Sequence, residues 1–255
     1  MDKKLKNLRT FNMFMAFLHA IQGVAVLILS DPERGVVPIT TNFLRFDEAT
    51  RTLLPATEQI TEVNIAWFVA IFFFMSAFAH LFISTVYRNR YEEDLKLGIN
   101  KVRWYEYALS ASVMMIAISF LTGIYDLASL VMIFSLDALM NLLGLAMEIH
   151  NSRQERVNWL TFNLGCIAGI VPWIVFGIYV YAAREFGGGT IPDFVYWIYV
   201  SIFLFFNSFA VNMYLQYKKV GPWRDYLYGE KAYIILSLVA KSLLAWQVFG
   251  GTLRP

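Results

Sequence analysis

Apolar stretches of roughly twenty residues, separated by polar segments, recur seven times along the chain: Phe11–Leu29, Asn64–Val86, Trp104–Tyr125, Leu127–Met147, Trp159–Ala182, Phe194–Leu215 and Ala232–Phe249. A helix needs about 20 apolar residues to cross the hydrocarbon core of a bilayer. The pattern therefore predicts an all-α bundle of seven transmembrane helices, one domain over residues 1–255 with residues 1–10 as a polar N-terminus. Most connections are short, which favours antiparallel neighbours. The exception is residues 30–63, where Val36-Val-Pro-Ile-Thr-Thr-Asn-Phe-Leu-Arg-Phe46 is rich in β-branched and aromatic residues with turn formers around it. That segment predicts a short β-hairpin. Ordered connections of this length usually cap, bind or dimerise, the alternative being a disordered linker.

Composition sharpens the class. With 58% hydrophobic and 16% charged residues, the chain carries too little charge for an ordinary soluble domain. Its expected surroundings are membrane lipid. A net charge of +2 offers no case for nucleic acid, because the basic residues are distributed by topology. The basic stretch Lys3–Arg9 before the first run resembles the start of a signal peptide, but the run is too long and Leu29-Ser-Asp-Pro32 has no small-x-small cleavage site, so a mature helix is expected. Counting Lys and Arg by alternate loops gives fifteen on the N-terminal side and five on the other. The positive-inside rule then puts the N-terminus in the cytoplasm and the C-terminus, after seven crossings, outside. Cys166, the only cysteine, lies within the fifth span and can form no intrachain disulfide.

Of the 21 cationic residues, one belongs to neither side: Lys241, in the middle of the seventh run. Were that helix to begin near Lys231, the lysine would sit about 15 Å in, close to the bilayer midplane. A central lysine costs about 2.5–3.5 kcal/mol and marks a functional site with a partner to be named. One alternative is a lysine held by carbonyls or a carboxylate for packing alone. The other is covalent chemistry, since a lysine amine condenses with an aldehyde to a Schiff base, and in a seven-helix protein that aldehyde would be retinal. Side chains lean toward the helix N-terminus, so Leu238, Ser237 and Ile234 share the face of Lys241, and Ser237 alone among them is polar. A positive nitrogen needs an anion. Glu106 and Asp137 are the acidic candidates inside spans, and depth favours Glu106, unless Glu106 pairs with Arg103 one turn away. At about 4 Å and an effective dielectric near 20, such a pair gains about 4 kcal/mol.

Glu106 with Tyr107 and Ser110, the Asn207-Ser-Phe-Ala210 region, Gly165-Cys-Ile-Ala-Gly-Ile-Val-Pro-Trp173 and above all Tyr233-Ile-Ile-Leu-Ser-Leu-Val-Ala-Lys-Ser-Leu-Leu-Ala-Trp-Gln247 resemble the heliorhodopsins, over all seven spans. These are retinal-binding light receptors whose termini are inverted relative to other microbial rhodopsins. The resemblance implies all-trans retinal on Lys241, Glu106 as counterion, Ser237 as its hydrogen-bonding neighbour, a homodimer, and a polar cytoplasmic-side cavity involving His19 and His80. Both histidines also fall in the inner half of the bundle by position, where with water they could accept a proton or simply satisfy hydrogen bonds.

Light-driven proton pumps of the wider rhodopsin group place a donor carboxylate where this chain has Ala117. The expected behaviour is therefore slow reprotonation and signalling to an unidentified cytoplasmic partner, with an ion carrier or channel, or light-dependent regulation of a bound enzyme, as the alternatives. No metal-ligand cluster, activated nucleophile or phosphate loop is evident, so intrinsic enzymatic activity is not expected. A polyene site should be apolar. Tyr107, Ser110, Ala111, Met114, Met140, Phe206 and Phe209 are its candidate walls, while Asp137 is read as a hydrogen-bonding link to a neighbouring helix.

Overall fold

The computed structural model describes residues 2–188 and 191–255. Met1, Gly189 and Thr190, which the single-domain reading includes, lie outside the described residues. Its elements in chain order are α1 (Asp2–Leu29), β1 (Val36–Asp47), β2 (Thr52–Asn64), α2 (Ile65–Ser84), α3 (Arg88–Lys96), α4 (Lys101–Leu121), α5 (Leu127–Asn151), α6 (Leu160–Phe186), α7 (Asp193–Tyr217), a 3-10 turn at Gly221–Arg224, α8 (Tyr226–Val248) and a final π-helical turn at Phe249–Leu253. Among the described residues seven helices, α1, α2 and α4 to α8, are long and apolar enough to cross a membrane.

The helices start where the sequence supplies caps. Asn64 accepts from the Ala66 amide to open α2, Asn100 from Arg103 to open α4, Asp126 from Ser129 to open α5, and Asp225 from Leu227 to open α8. Each satisfies one of the amides that a helix N-terminus leaves free. Between the caps, apolar side chains point both inward and outward. Phe14, Phe17, Ile28, Phe78 and Ile174 are exposed at the bundle periphery, which suits lipid as the solvent. Buried Phe72, Phe73, Phe176, Ile118 and Leu244 fill the interior. α1 packs on α2, α2 on α4, α4 on α5 and α5 on α6, while α7 packs on α8 and α8 returns to α1.

The hairpin forms as expected but is longer: β1 and β2 pair antiparallel from Val36 opposite Asn64 to Asp47 opposite Thr52, with an irregularity between Ile39 and Thr40. Its base is tied to the bundle. The Thr40 amide donates to the Tyr125 carbonyl at 2.9 Å, and Asn42 donates to Asp126, the α5 cap, at 3.1 Å.

Three boundaries differ from the sequence reading. α1 begins at Asp2, so the polar N-terminus is helical; its Lys and Arg residues are good helix formers and continue the apolar helix outward. The loop after α2 contains the short helix α3, whose polar sequence carries no membrane signal. α8 begins at Tyr226 rather than near Lys231, which puts Lys241 about 23 Å from the helix start at 1.5 Å per residue.

Candidate functional site

Lys241 lies on the inner face of α8, buried, with Ser237 one turn toward the N-terminus and buried as well. Its ammonium donates to Ser237 Oγ at 2.9 Å and to Glu106 Oε1 at 3.2 Å. The Tyr107 ring centroid is 5.3 Å from Nζ, within the range of a cation–π contact. Glu106 is only 8% exposed and also accepts from Ser76 Oγ of α2 at 2.6 Å. The cation and the carboxylate thus meet across α4 and α8 with no stronger competitor, because Arg103, the alternative partner one turn from Glu106, is taken by Glu148 and Glu230 instead.

Beyond the lysine a cavity of about 350 Å³ extends between α4, α5, α6, α7 and α8. Its lining includes Tyr107, Ala111, Met114, Met140, Phe206, Phe209, Ser237 and Lys241 among the expected residues. Ser110 is not among them: its side chain is buried, its hydroxyl has no partner, and it lines neither this cavity nor the smaller one next to Glu106. The helical spacing that carries Tyr107, Ala111 and Met114 to the cavity leaves Ser110 turned away from it. Asp137 is fully buried and accepts from Ser112 of α4 at 3.1 Å and from Asn141 at 3.2 Å, a link between helices.

His19 and His80 come together. Their rings stack at 5.5 Å between centroids, and His80 Nδ1 lies 2.7 Å from Asn12 Oδ1. Both ring nitrogens of buried His19 are without a partner among the described residues. A second cavity of about 30 Å³ is lined by Asn12, His80, Asn100, Arg103, Glu106 and Glu230 among others. Arg103, whose Nε has no partner among the described residues, lines this cavity, and a space of that size can hold a water molecule, which needs roughly 10–15 Å³.

Several site residues escaped the sequence reading. Ser76 and Asn12 lie one and two helical turns from His80 and His19 on the same helices, a spacing that could have found them. Gly169 had no such signal, yet a methyl group there would stand 2.5 Å from Met140 Sδ and 3.2 Å from Phe206 Cζ, two wall residues of the larger cavity. Arg103, Glu148 and Glu230 form a buried three-charge cluster at the end of the bundle that holds α3. They fall just outside the apolar runs that mark the spans, or close to their edges.

Comparison with known proteins adds one match. A family model described as Heliorhodopsin covers residues 8–253. No curated protein matches the chain.

Proposed function

The chain belongs to the heliorhodopsin family, and from that premise we propose that it is a light sensor, rather than a pump, in which Lys241 carries all-trans retinal as a Schiff base with Glu106 as counterion. Membership makes it a retinal-binding, rhodopsin-type photoreceptor of the membrane. The single observation that carries the finer reading is the buried contact at 3.2 Å between Lys241 Nζ and Glu106 Oε1, with Lys241 in the wall of an apolar cavity.

The residues fit the chromophore. A volume of about 350 Å³ lies within the range of small-molecule and cofactor sites. Met114, Met140, Phe206 and Phe209 supply apolar wall, and the glycine at 169 leaves room that a methyl group would fill. When bound, retinal supplies the absorption of visible light and the isomerisation that follows. Everything else belongs to the protein. Lys241 holds a proton at Nζ because a carboxylate at this distance contributes about 5 kcal/mol at an effective dielectric near 20. Ser237 orients that nitrogen by accepting from it at 2.9 Å. Glu106, kept in place by Ser76, accepts the proton when the nitrogen gives it up, and the pair His19 and His80 with enclosed water is the next region that can hold it.

Return of the proton is slow in this reading. Towards its C-terminal end α4 presents Ala117, Ile118 and Phe120, all buried and apolar, with no carboxylate to reprotonate the nitrogen from that side. Vectorial transport needs acceptor and donor on opposite sides, so the altered bundle signals through its cytoplasmic face to a partner. The N-terminus is cytoplasmic and the C-terminus external. The exposed apolar residues Phe43, Leu44 and Leu53 of the hairpin support its role in a homodimer on the outer side. Illumination of voltage-clamped cells expressing the retinal-loaded protein tests the sensor reading: no sustained photocurrent is expected at any holding potential, and a steady, light-dependent current would overturn it.

A further inference from the structure

The cluster at the N-terminal end of α4 is short of one positive charge. Arg103, Glu148 and Glu230 have side chains that are 4%, 2% and 1% exposed, and the guanidinium reaches both carboxylates. With both carboxyls ionised the cluster carries one excess negative charge in a place screened from water, an unfavourable arrangement that one proton would cancel.

The donor sets decide which carboxyl is open to that proton. Glu148 accepts from four groups: the Asn100 amide at 2.9 Å, Trp104 Nε1 at 2.7 Å, Tyr226 at 3.1 Å and Arg103. None of these is an acceptor near its oxygens except a tyrosine hydroxyl. Glu230 accepts from Asn100 Nδ2 at 2.6 Å, Arg103 and, at 3.3 Å, the Tyr91 hydroxyl. The last is long and rotatable, so Oε1 can take a proton and present it back to Tyr91. Burial above all, and then the Glu230 charge, push the Tyr91 hydroxyl well above the usual tyrosine range, while the Asn12 side chain acts the other way. Tyr91 therefore stays neutral and able both to donate and to accept.

Glu230 also faces the photoactive site. The cavity of about 30 Å³ is lined by Glu230, Arg103 and Asn100 together with Glu106, His80 and Asn12, and the buried Arg103 Nε has no partner among the described residues. The titratable groups around Glu230 are then Tyr91 of α3, Arg103, Glu106 and Tyr107 of α4, Glu148 of α5, His80 of α2, and Tyr226 and Tyr233 on α8 itself.

We propose that Glu230 is a proton-holding residue of this photoreceptor, taking up through the small cavity the proton that leaves Glu106. The step balances: an O–H bond on Glu106 breaks, an O–H bond on Glu230 Oε1 forms, Glu106 regains its charge and the cluster loses its excess one. Arg103 then pairs with Glu148 alone, which loosens the hold of α4 on α8, while the contact between Glu230 and Tyr91 reverses its direction, so the proton's arrival reaches α3. This inference rests on the assignment of Lys241 and Glu106 above.

Light-minus-dark infrared difference spectra of the retinal-loaded protein in lipid vesicles test it. The wild type should gain a carboxylic-acid C=O band, shifted in heavy water, as the deprotonated photoproduct forms. Glu230→Gln that retains its visible band should lose the Glu230 band, any remaining gain being that of Glu106 at another frequency, and Glu230→Asp should show it at a shifted frequency. A band unchanged in both frequency and intensity in Glu230→Gln overturns the proposal; should that variant form no pigment, an unshifted band in Glu230→Asp does so. A wild-type protein with no visible band would instead overturn the underlying assignment, and this inference with it.

Discussion

At the scale of single residues the proposed function rests on a buried cation and its anion. Lys241 and Glu106 lie 3.2 Å apart and almost wholly out of water, so each is costly without the other. Replacing Glu106 by Gln keeps the shape and removes the charge. The proton affinity of the pigment nitrogen should fall by up to about 5,000-fold, the equivalent of about 5 kcal/mol, and a spectroscopic pH titration should find the protonated visible band lost at pH values where the wild type retains it. Ser237→Ala removes only a hydroxyl acceptor, worth about 1 kcal/mol, and the same titration should move by less than one pH unit. Both residues could be read from the sequence, because one charge in an apolar run has few partners at its depth. Glu230 could not: with α8 assumed to start near Lys231, this carboxyl falls in a loop, and only the cap at Asp225 puts it inside the helix and beside Arg103.

At the scale of elements, caps and the hairpin hold the helices in register. Asp126 opens α5 by accepting from Ser129 and also receives Asn42 of β1, so one side chain joins the hairpin to the bundle. Asp126→Ala should lower stability by about 1 kcal/mol, measurable as a lower melting temperature of the pigment. The hydrogen bonds from Ser129, first of all its amide, hold the Asp126 carboxyl below its ordinary value of 3.8. Its contribution is therefore complete above that pH and disappears as the pH falls through the lower folded value, and the difference between wild type and Asp126→Ala should shrink in the same acid range. The seven spans were legible because a run of about twenty apolar residues matches the thickness of a bilayer and exceeds what most soluble helices bury. The hairpin was legible from its β-branched residues and turn formers. α3 was not, since nine mostly charged residues show no apolar periodicity, and neither was the start of α1, where an apolar run and a basic helix continue without a break.

At the scale of the whole molecule, one interior serves two ends. The larger cavity lies between five helices and has Lys241 in its wall; the smaller one is lined by Glu106 and by Arg103 and Glu230 of the charge cluster. No single run of sequence specifies either space, and glycines such as Gly169 matter for the volume they leave empty, which is why the walls were only partly foreseen. The charge distribution does bear on orientation. An epitope added after Pro255 should be reached by antibody on intact cells, and one accessible only after permeabilisation would reverse the assignment of the cytoplasmic face. The central claim is that Lys241 carries the chromophore. Adding all-trans retinal to the purified apoprotein should produce a visible absorption band red-shifted from free retinal, and Lys241→Ala, folded by circular dichroism, should produce none; an equal band in the variant would contradict the account.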